Sequence, residues 1–297
     1  MISPISMSAR SNLDGRSTSA TGPRQNTGMR ALLAINSILL ACVFGPMTSA
    51  QGDLEVDVEL VIAVDVSRSM TPRELEIQRR GYAEALVSEE VLEAIRHGFL
   101  GRVAITYVEW AGSQSQRVVV DWALVRDRAD AEAFAAQLTA VFDKTLRRTS
   151  ISGALDFAAT RFDGNGFASF RQVIDVSGDG PNNQGRPVEP ARDEVLAKGI
   201  VINGLPLMTR EGMGSEWHLD DLDEYYRHCV IGGPTAFVIP VLEWSQFPQA
   251  VRRKLVLELA QLRQAPAVRS NLVRVGSPDY DCLIGEKIWD DILDDWN

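Results

Sequence analysis

The sequence predicts an α/β protein whose central sheet is mostly parallel, with one antiparallel edge strand and helices on both faces. Short β-branched runs alternate with segments of helical apolar spacing, which is typical of parallel sheets covered by helices. Residues 60–64 are all apolar, as in a strand buried on both faces. Residues 102–110 and 116–125 also resemble strands, and the short segment between them predicts a hairpin that supplies the antiparallel edge.

The remaining helices and strands are predicted from residues that cap helix ends and from the spacing of apolar residues. Thr71, Pro72 and Glu74 combine an N-cap, a proline suited to the first helical position and a capping-box glutamate, so a helix is predicted to begin there. Ser88 offers a second N-cap. Further helices are predicted over residues 127–142, 151–162, 189–198 and 247–262, and further strands over 171–176, 200–207 and 236–242, the last two being the fifth and sixth strands.

Three oxygen-bearing side chains follow the buried strand at alternate positions: Asp65, Ser67 and Ser69. Side chains of this kind, placed where a strand opens into a loop, can converge on one hard cation. The alternative is an ordinary loop aspartate followed by turn-forming serines.

This D-x-S-x-S pattern resembles the start of the metal-ion-dependent adhesion site of von Willebrand factor A domains. The resemblance implies two more ligands. One is a threonine before a helix, matched by Thr149 in TSISGAL, and the other is the aspartate of a strand-terminal Asp-Gly, matched by Asp179 after RQVIDVSG. The match extends over residues 54 to about 262 and implies a three-layer, Rossmann-like fold. The implied ligands are Asp65, Ser67, Ser69, Thr149 and Asp179.

Oxygen donors without His or Cys favour Mg²⁺ or Mn²⁺ over Zn²⁺. In the family, one coordination position stays open for an acidic group, so the resemblance implies a protein partner that offers an Asp or Glu carboxylate. No general base or nucleophile is predicted beside the site, which favours binding over catalysis.

The chain of 297 residues has a formal net charge of −10. Because phosphate binding requires clustered Lys and Arg, this charge argues against nucleic acid or an anionic membrane surface as the main partner.

The amino-terminal segment predicts export. Residues 29–50 place Arg30 before an apolar run, a Gly-Pro break and small residues, which is the order of a secretory signal peptide and too short for a membrane span. We expect Met29 to be the start, residues 1–28 to be disordered or untranslated, and the mature protein to be periplasmic or secreted with no membrane span. Lipoprotein processing at Cys42 is the alternative.

Cleavage after residue 50 leaves Cys229 and Cys282. In an oxidising compartment two cysteines are candidates for a disulfide, and two buried thiols are the alternative.

The strings VSGDGPNN and CVIGGPTAF are similar to a family of secreted bacterial proteins of unknown function. The predicted domain covers residues 51–265, with an insertion at 208–234, and a tail over 266–297 packs on its outside. The insertion contains an acidic run at 219–224. We expect the insertion to border the metal site, because it follows the carboxyl end of a strand.

Two other functions stay open. Asp65 together with the sequence GDGPNN also resembles phosphohydrolases of the haloacid dehalogenase type, in which Asp65 would be the nucleophile and Asp179 a Mg²⁺ ligand. The chain departs from that pattern at Ser67, where a general acid is required, and at Asn183. The third hypothesis is a degenerate scaffold domain without metal.

Overall fold

A computed structural model describes residues 52–140, 146–209, 219–260 and 280–295. The predictions for residues 1–50, including the signal peptide and Cys42, lie outside these ranges, as does part of the predicted tail. Within the described ranges, no helix is both long and apolar enough to cross a membrane.

The sheet has the predicted mixed topology. Its strands are β1 (Leu54–Asp65), β2 (Val103–Trp110), β3 (Gln116–Val125), β4 (Phe167–Gly178) and β5 (Val201–Pro206). Their spatial order is β3-β2-β1-β4-β5. β1 pairs in parallel with β2 and β4, β5 lies parallel to β4, and β3 is antiparallel to β2. The predicted parallel sheet with one antiparallel edge strand is therefore confirmed.

Helices cover both faces of this sheet. They are α1 (Pro72–Leu86), α2 (Glu89–Arg96), α3 (Arg128–Thr139), α4 (Ile151–Thr160), α5 (Val188–Ala197), α6 (Leu222–Tyr225), α7 (Phe247–Ala260) and α8 (Ile284–Asp295). Helices α1, α2, α3 and α7 pack into one apolar cluster, whereas α4, α5 and α6 pack into the other. The capping box at Thr71 and Glu74 is present, and Ser88 caps α2.

The central position of β1 explains why its residues 60–64 are all apolar. Leu60 and Ile62 point into one cluster, whereas Val61 and Ala63 point into the other. From β1 the chain runs to β2 on one side and later to β4 on the other side. The carboxyl end of β1 is therefore the switch point of the sheet, where open α/β folds form their binding crevice, and Asp65 is its last residue.

The predicted sixth strand is wrong. Residues 236–242 run beside β5 but form only isolated bridges, at Val238 and Val241. Pro206 and Pro240 account for this difference, since each lacks the N–H group that a continuous ladder needs.

Cys229 and Cys282 form a disulfide, with their Cα atoms 5.5 Å apart. Cys229 lies in a π-helical turn, Tyr226–Val230, that continues α6. Cys282 lies two residues before α8. The bond therefore connects the insertion to the tail, as expected from the sequence.

A buried charge cluster joins α7 to β4. The Lys254 ammonium lies 2.7 Å from Asp175 and 2.6 Å from Glu258, and all three side chains are fully buried. Two carboxylates therefore share one ammonium group. Burial raises the pKa of Asp175 to about 7, although Lys254 acts in the opposite direction, and the charge of Glu258 adds to the rise.

We expect the Asp175 carboxyl to make the protein less stable as pH rises. Its pKa is higher in the folded than in the unfolded chain, so the folded state binds more protons between about pH 3.8 and about pH 7. The contribution of Asp175 to the free energy of unfolding should fall across this window and level off above it. Asp175→Asn should reduce that fall, as measured by urea unfolding at a series of pH values.

The exposed Asp163 provides the matched control. Asp163→Asn should leave the pH dependence as in the native chain. An equal slope for the native protein and Asp175→Asn would contradict the role given to Asp175.

Candidate metal site

A chain of hydrogen bonds joins the loops that follow β1 and β4. The backbone N–H of Ser67 donates to Asp65 Oδ1 over 2.6 Å. The hydroxyls of Ser67 and Ser69 are 2.9 Å apart, and Ser69 Oγ donates to Asp179 Oδ1 over 2.8 Å. Side chains that are 110 residues apart in the sequence therefore meet at the switch point of the sheet.

The loop that carries Thr149 is held against both of the others. Its Leu146 N–H donates to the carbonyl of Val66 over 2.9 Å, which fixes it beside the end of β1. Thr149 and Asn183 exchange two bonds: Thr149 N–H donates to Asn183 Oδ1 over 3.0 Å, and Asn183 N–H donates to the Thr149 carbonyl over 2.9 Å. The Thr149 loop is thereby attached to the loop that contains Asp179.

A cavity of about 340 Å³ opens where these loops meet. Ser67, Ser69, Thr149 and Asp179 all line it. Asp65 is fully buried and does not line the cavity itself, but its carboxylate accepts a hydrogen bond from Ser67, which does. The structure therefore brings all five predicted positions together, and their role as metal ligands stays a prediction.

The electrostatics of Asp65 are unfavourable without a cation. Its Oδ2 atom is buried and has no hydrogen-bond partner among the described residues. Burial, and then the charge of Asp179, raise the pKa of Asp65 well above its usual value. A bound cation would offset both effects, since it attracts both carboxylates.

The donor set consists of two carboxylates and three hydroxyls, which fits Mg²⁺ or Mn²⁺. The described residues form no group of three or more His, Cys, Asp or Glu side chains that could hold a metal ion, at this site or elsewhere, so the candidate site depends on its hydroxyl donors as well as on its two carboxylates.

Tyr226 and Gly178 belong to the site but were not identified from the sequence. A Cβ atom at position 178 would lie 3.0 Å from Tyr226 Oη and 3.1 Å from Asp65 Oδ2. Tyr226 is fully buried, and its hydroxyl also lacks a partner among the described residues. No local sequence signal marks Tyr226, because it comes to Gly178 from the insertion, far along the chain.

The insertion contributes Tyr226 beside the site, as expected for the insertion, but its acidic run does not line the cavity. None of the residues that line the cavity comes from this run. Asp223 and Glu224 pair with Arg227, and Asp221 accepts a hydrogen bond from the Tyr280 hydroxyl. The helical spacing turns these carboxylates towards their own helix and the tail, so the insertion contributes Tyr226 instead.

The tail contributes to the site, which its sequence did not indicate. Gly285, Ile288 and Trp289 of α8 line the same cavity as Thr149 and Asp179. The disulfide provides the physical reason, since it fixes the start of the tail to the insertion beside the site.

The comparison with protein families agrees with the resemblance of VSGDGPNN and CVIGGPTAF to a family of unknown function. The model of DUF1194, described as a protein of unknown function, matches residues 55–263. The chain belongs to the DUF1194 family. None of the curated protein sequences compared with the chain is similar to it.

Solved structures resemble this DUF1194 chain at low sequence identity. The pilus adhesin SpaC from Lactobacillus rhamnosus GG has a TM-score of 0.51 at 10% identity, over 71% of this chain and 32% of that chain. Proximal thread matrix protein 1 from the mussel byssus has a TM-score of 0.46 at 15% identity, over 70% and 49%. A von Willebrand factor type A protein from Catenulispora acidiphila has a TM-score of 0.43 at 14% identity, over 70% and 43%.

The chain therefore spans about half the length of the mussel protein and about a third of SpaC. At 10% identity, the likeness to SpaC shows the fold alone.

Two nearby glycines give a matched test of how tightly Asp65 and Tyr226 are packed. Gly178→Ala should destabilise the protein by roughly 1 to 3 kcal/mol, because the new methyl group would press on two fully buried side chains. The measurement is the free energy of unfolding in urea.

Gly180→Ala is the control, because a Cβ atom there would meet nothing within 4 Å. It should change the stability by less than about 1 kcal/mol. Equal stability of the two variants would mean that the space around Asp65 is not closed as described.

Proposed function

We propose that this DUF1194 protein is a secreted or periplasmic binding protein that uses a metal-ion-dependent adhesion site. A Mg²⁺ or Mn²⁺ ion would be held by Asp65, Ser67, Ser69, Thr149 and Asp179. An acidic group of a protein partner would complete the coordination. The observation that carries the proposal is the buried, unpartnered Oδ2 atom of Asp65, next to a second carboxylate.

The loops support this proposal because backbone and side-chain hydrogen bonds hold the donors in place. Thr149 is fixed by its two bonds with Asn183, and Ser69 is bonded to Asp179. When bound, the cation would supply positive charge that attracts a carboxylate from outside. The protein's own residues hold the donors in place, and the half-buried Asp179 faces the cavity.

The burial of Asp65 argues against the phosphohydrolase alternative. A nucleophile must reach the phosphorus atom of its substrate, but the Asp65 side chain is fully buried and its Oδ1 atom accepts the Ser67 N–H. Ser67 stands where that mechanism needs a general acid, and Asn183 is engaged with Thr149. We therefore favour binding over phosphate-ester hydrolysis, and a phosphatase assay with Mg²⁺ should give no turnover.

The proposed location is supported by residues 29–50 and by the disulfide. A signal peptide would direct the chain into an oxidising compartment, where Cys229–Cys282 would persist.

Replacing a proposed ligand from either of two loops, Asp65 or Thr149, should abolish the stabilisation of the protein by metal. Mg²⁺ should raise the melting temperature of the native protein, because an ion that binds only the folded state stabilises it by about 2.7 kcal/mol at a concentration of 100 Kd. Asp65→Asn and Thr149→Ala should lose this rise. Without metal, Asp65→Asn should be at least as stable as the native chain, because a buried charge beside Asp179 is removed. Thermal unfolding with Mg²⁺ and with chelator measures both effects.

Thr160→Ala is a suitable control, because Thr160 is exposed at the end of α4 and its hydroxyl donates to the carbonyl of Phe157 in the same helix. It should keep the full response to Mg²⁺. A full response in both site variants would show that the ion binds elsewhere, and no response in the native chain would favour the scaffold hypothesis.

A further inference from the structure

The cavity above the candidate metal site has two walls of different origin. The loops after β1 and β4 and the Thr149 loop form one wall, and Gly285, Ile288 and Trp289 of α8 contribute the other. The site is therefore a cleft between the domain and its C-terminal helix, in contrast to an open surface at the end of the sheet.

Several contacts hold α8 in this position. The disulfide fixes the chain just before α8 to the π-helical turn that carries Tyr226. Asn182 Nδ2 donates to Glu286 Oε1 over 2.7 Å. A Cβ atom at position 285 would lie 2.1 Å from the Asn182 carbonyl oxygen, so only glycine permits this approach. The first turn of α8 is thus packed against the loop that follows Asp179.

Arginines surround the mouth of the cleft. Arg68 and Arg147 are exposed at its edge, and the guanidinium carbon of Arg148 lies 3.5 Å from the centre of the Trp289 ring. The chain as a whole carries a formal charge of −10, so this basic edge contrasts with the rest of the protein. Such a local field attracts acidic groups and repels basic ones.

The size of the cleft limits what can enter it. Its volume of about 340 Å³ is at the lower end of the ~300–1,000 Å³ range of ligand pockets. It can hold a few side chains with their backbone, whereas a broad folded surface would collide with α8.

We propose that the cleft binds an extended acidic segment of a partner protein. One carboxylate of the segment would face the metal position, a neighbouring acidic residue would meet Arg147, and the aliphatic part of the segment would pack on Ile288 and Trp289. This inference rests on the proposed function and adds to it the shape and charge of the ligand. It assigns Arg147 and Trp289 as specificity-determining residues.

The probe is a short fluorescent peptide of glycine and serine with a central Asp-Glu pair, and its match carries Asn-Gln instead. Fluorescence polarisation in Mg²⁺ should show binding of the acidic peptide only, and chelator should abolish it. Arg147→Glu should weaken the binding about tenfold, an effect of roughly 1.4 kcal/mol, and Mg²⁺ should still raise the melting temperature of this variant. Lys198→Glu is the control, because Lys198 follows α5 at the opposite edge of the sheet, and it should leave the affinity unchanged.

The role of α8 is tested by two further variants. Trp289→Ala removes the aromatic part of the wall, and Gly285→Ala forces α8 away from Asn182. Both variants should bind the acidic peptide at least fivefold more weakly. Leu283→Ala, at an exposed position outside the cavity, should keep the native affinity. Unchanged or tighter binding in Trp289→Ala would overturn the proposal and indicate that α8 obstructs the site.

The metal response separates this inference from the proposed function. If the native protein is stabilised by Mg²⁺ but binds both peptides equally or neither, the cleft proposal fails and the metal site stands. If Mg²⁺ has no effect on stability and acidic-peptide binding does not depend on it, the proposed function itself fails.

Discussion

The repulsion between two carboxylates at the end of the central strand is the constraint on which the rest of the site depends. Asp65 is fully buried, and burial and the charge of Asp179 both disfavour its ionised form. A protein that only needed to end β1 would be more stable with an uncharged residue there, because a buried charge without a counter-charge is costly. The cation that we propose would offset both effects, because it attracts both carboxylates.

The fold concentrates its polar loops at this position for a topological reason. β1 is the central strand, and its neighbours β2 and β4 run parallel to it, so the loops after these strands emerge at one edge. Backbone bonds then connect the loops directly, as between Leu146 and Val66 and between Asn183 and Thr149. The loops that carry the donors are therefore joined by backbone groups, and these bonds do not require particular side chains.

The sequence was most informative where the signal is local. The apolar run of β1, the capping box at Thr71 and the D-x-S-x-S spacing each depend on a few adjacent residues, and the structure contains the corresponding elements. The hairpin of β2 and β3 was predicted for the same reason. By contrast, the strand predicted over residues 236–242 failed because its apolar composition was given more weight than the missing N–H groups of its prolines.

The parts of the site that sequence reasoning missed are those brought in over long distances. Tyr226 comes to Gly178 from the insertion, and Trp289 comes to the cavity from the tail. Neither position has a local pattern that differs from an ordinary buried aromatic residue. The pairing of Cys229 with Cys282 was the one available signal, since a bond between the insertion and the tail requires the tail to lie near the site.

Diffraction from a crystal soaked in Mn²⁺ tests the central claim most directly, because the anomalous signal locates the ion without assumptions about its ligands. Our account predicts one strong peak in the cavity, within coordination distance of Ser67, Ser69 and oxygen atoms near Thr149 and Asp179, and loss of that peak in Asp65→Asn. A peak at any other place in the native crystal, with none in this cavity, would contradict the account.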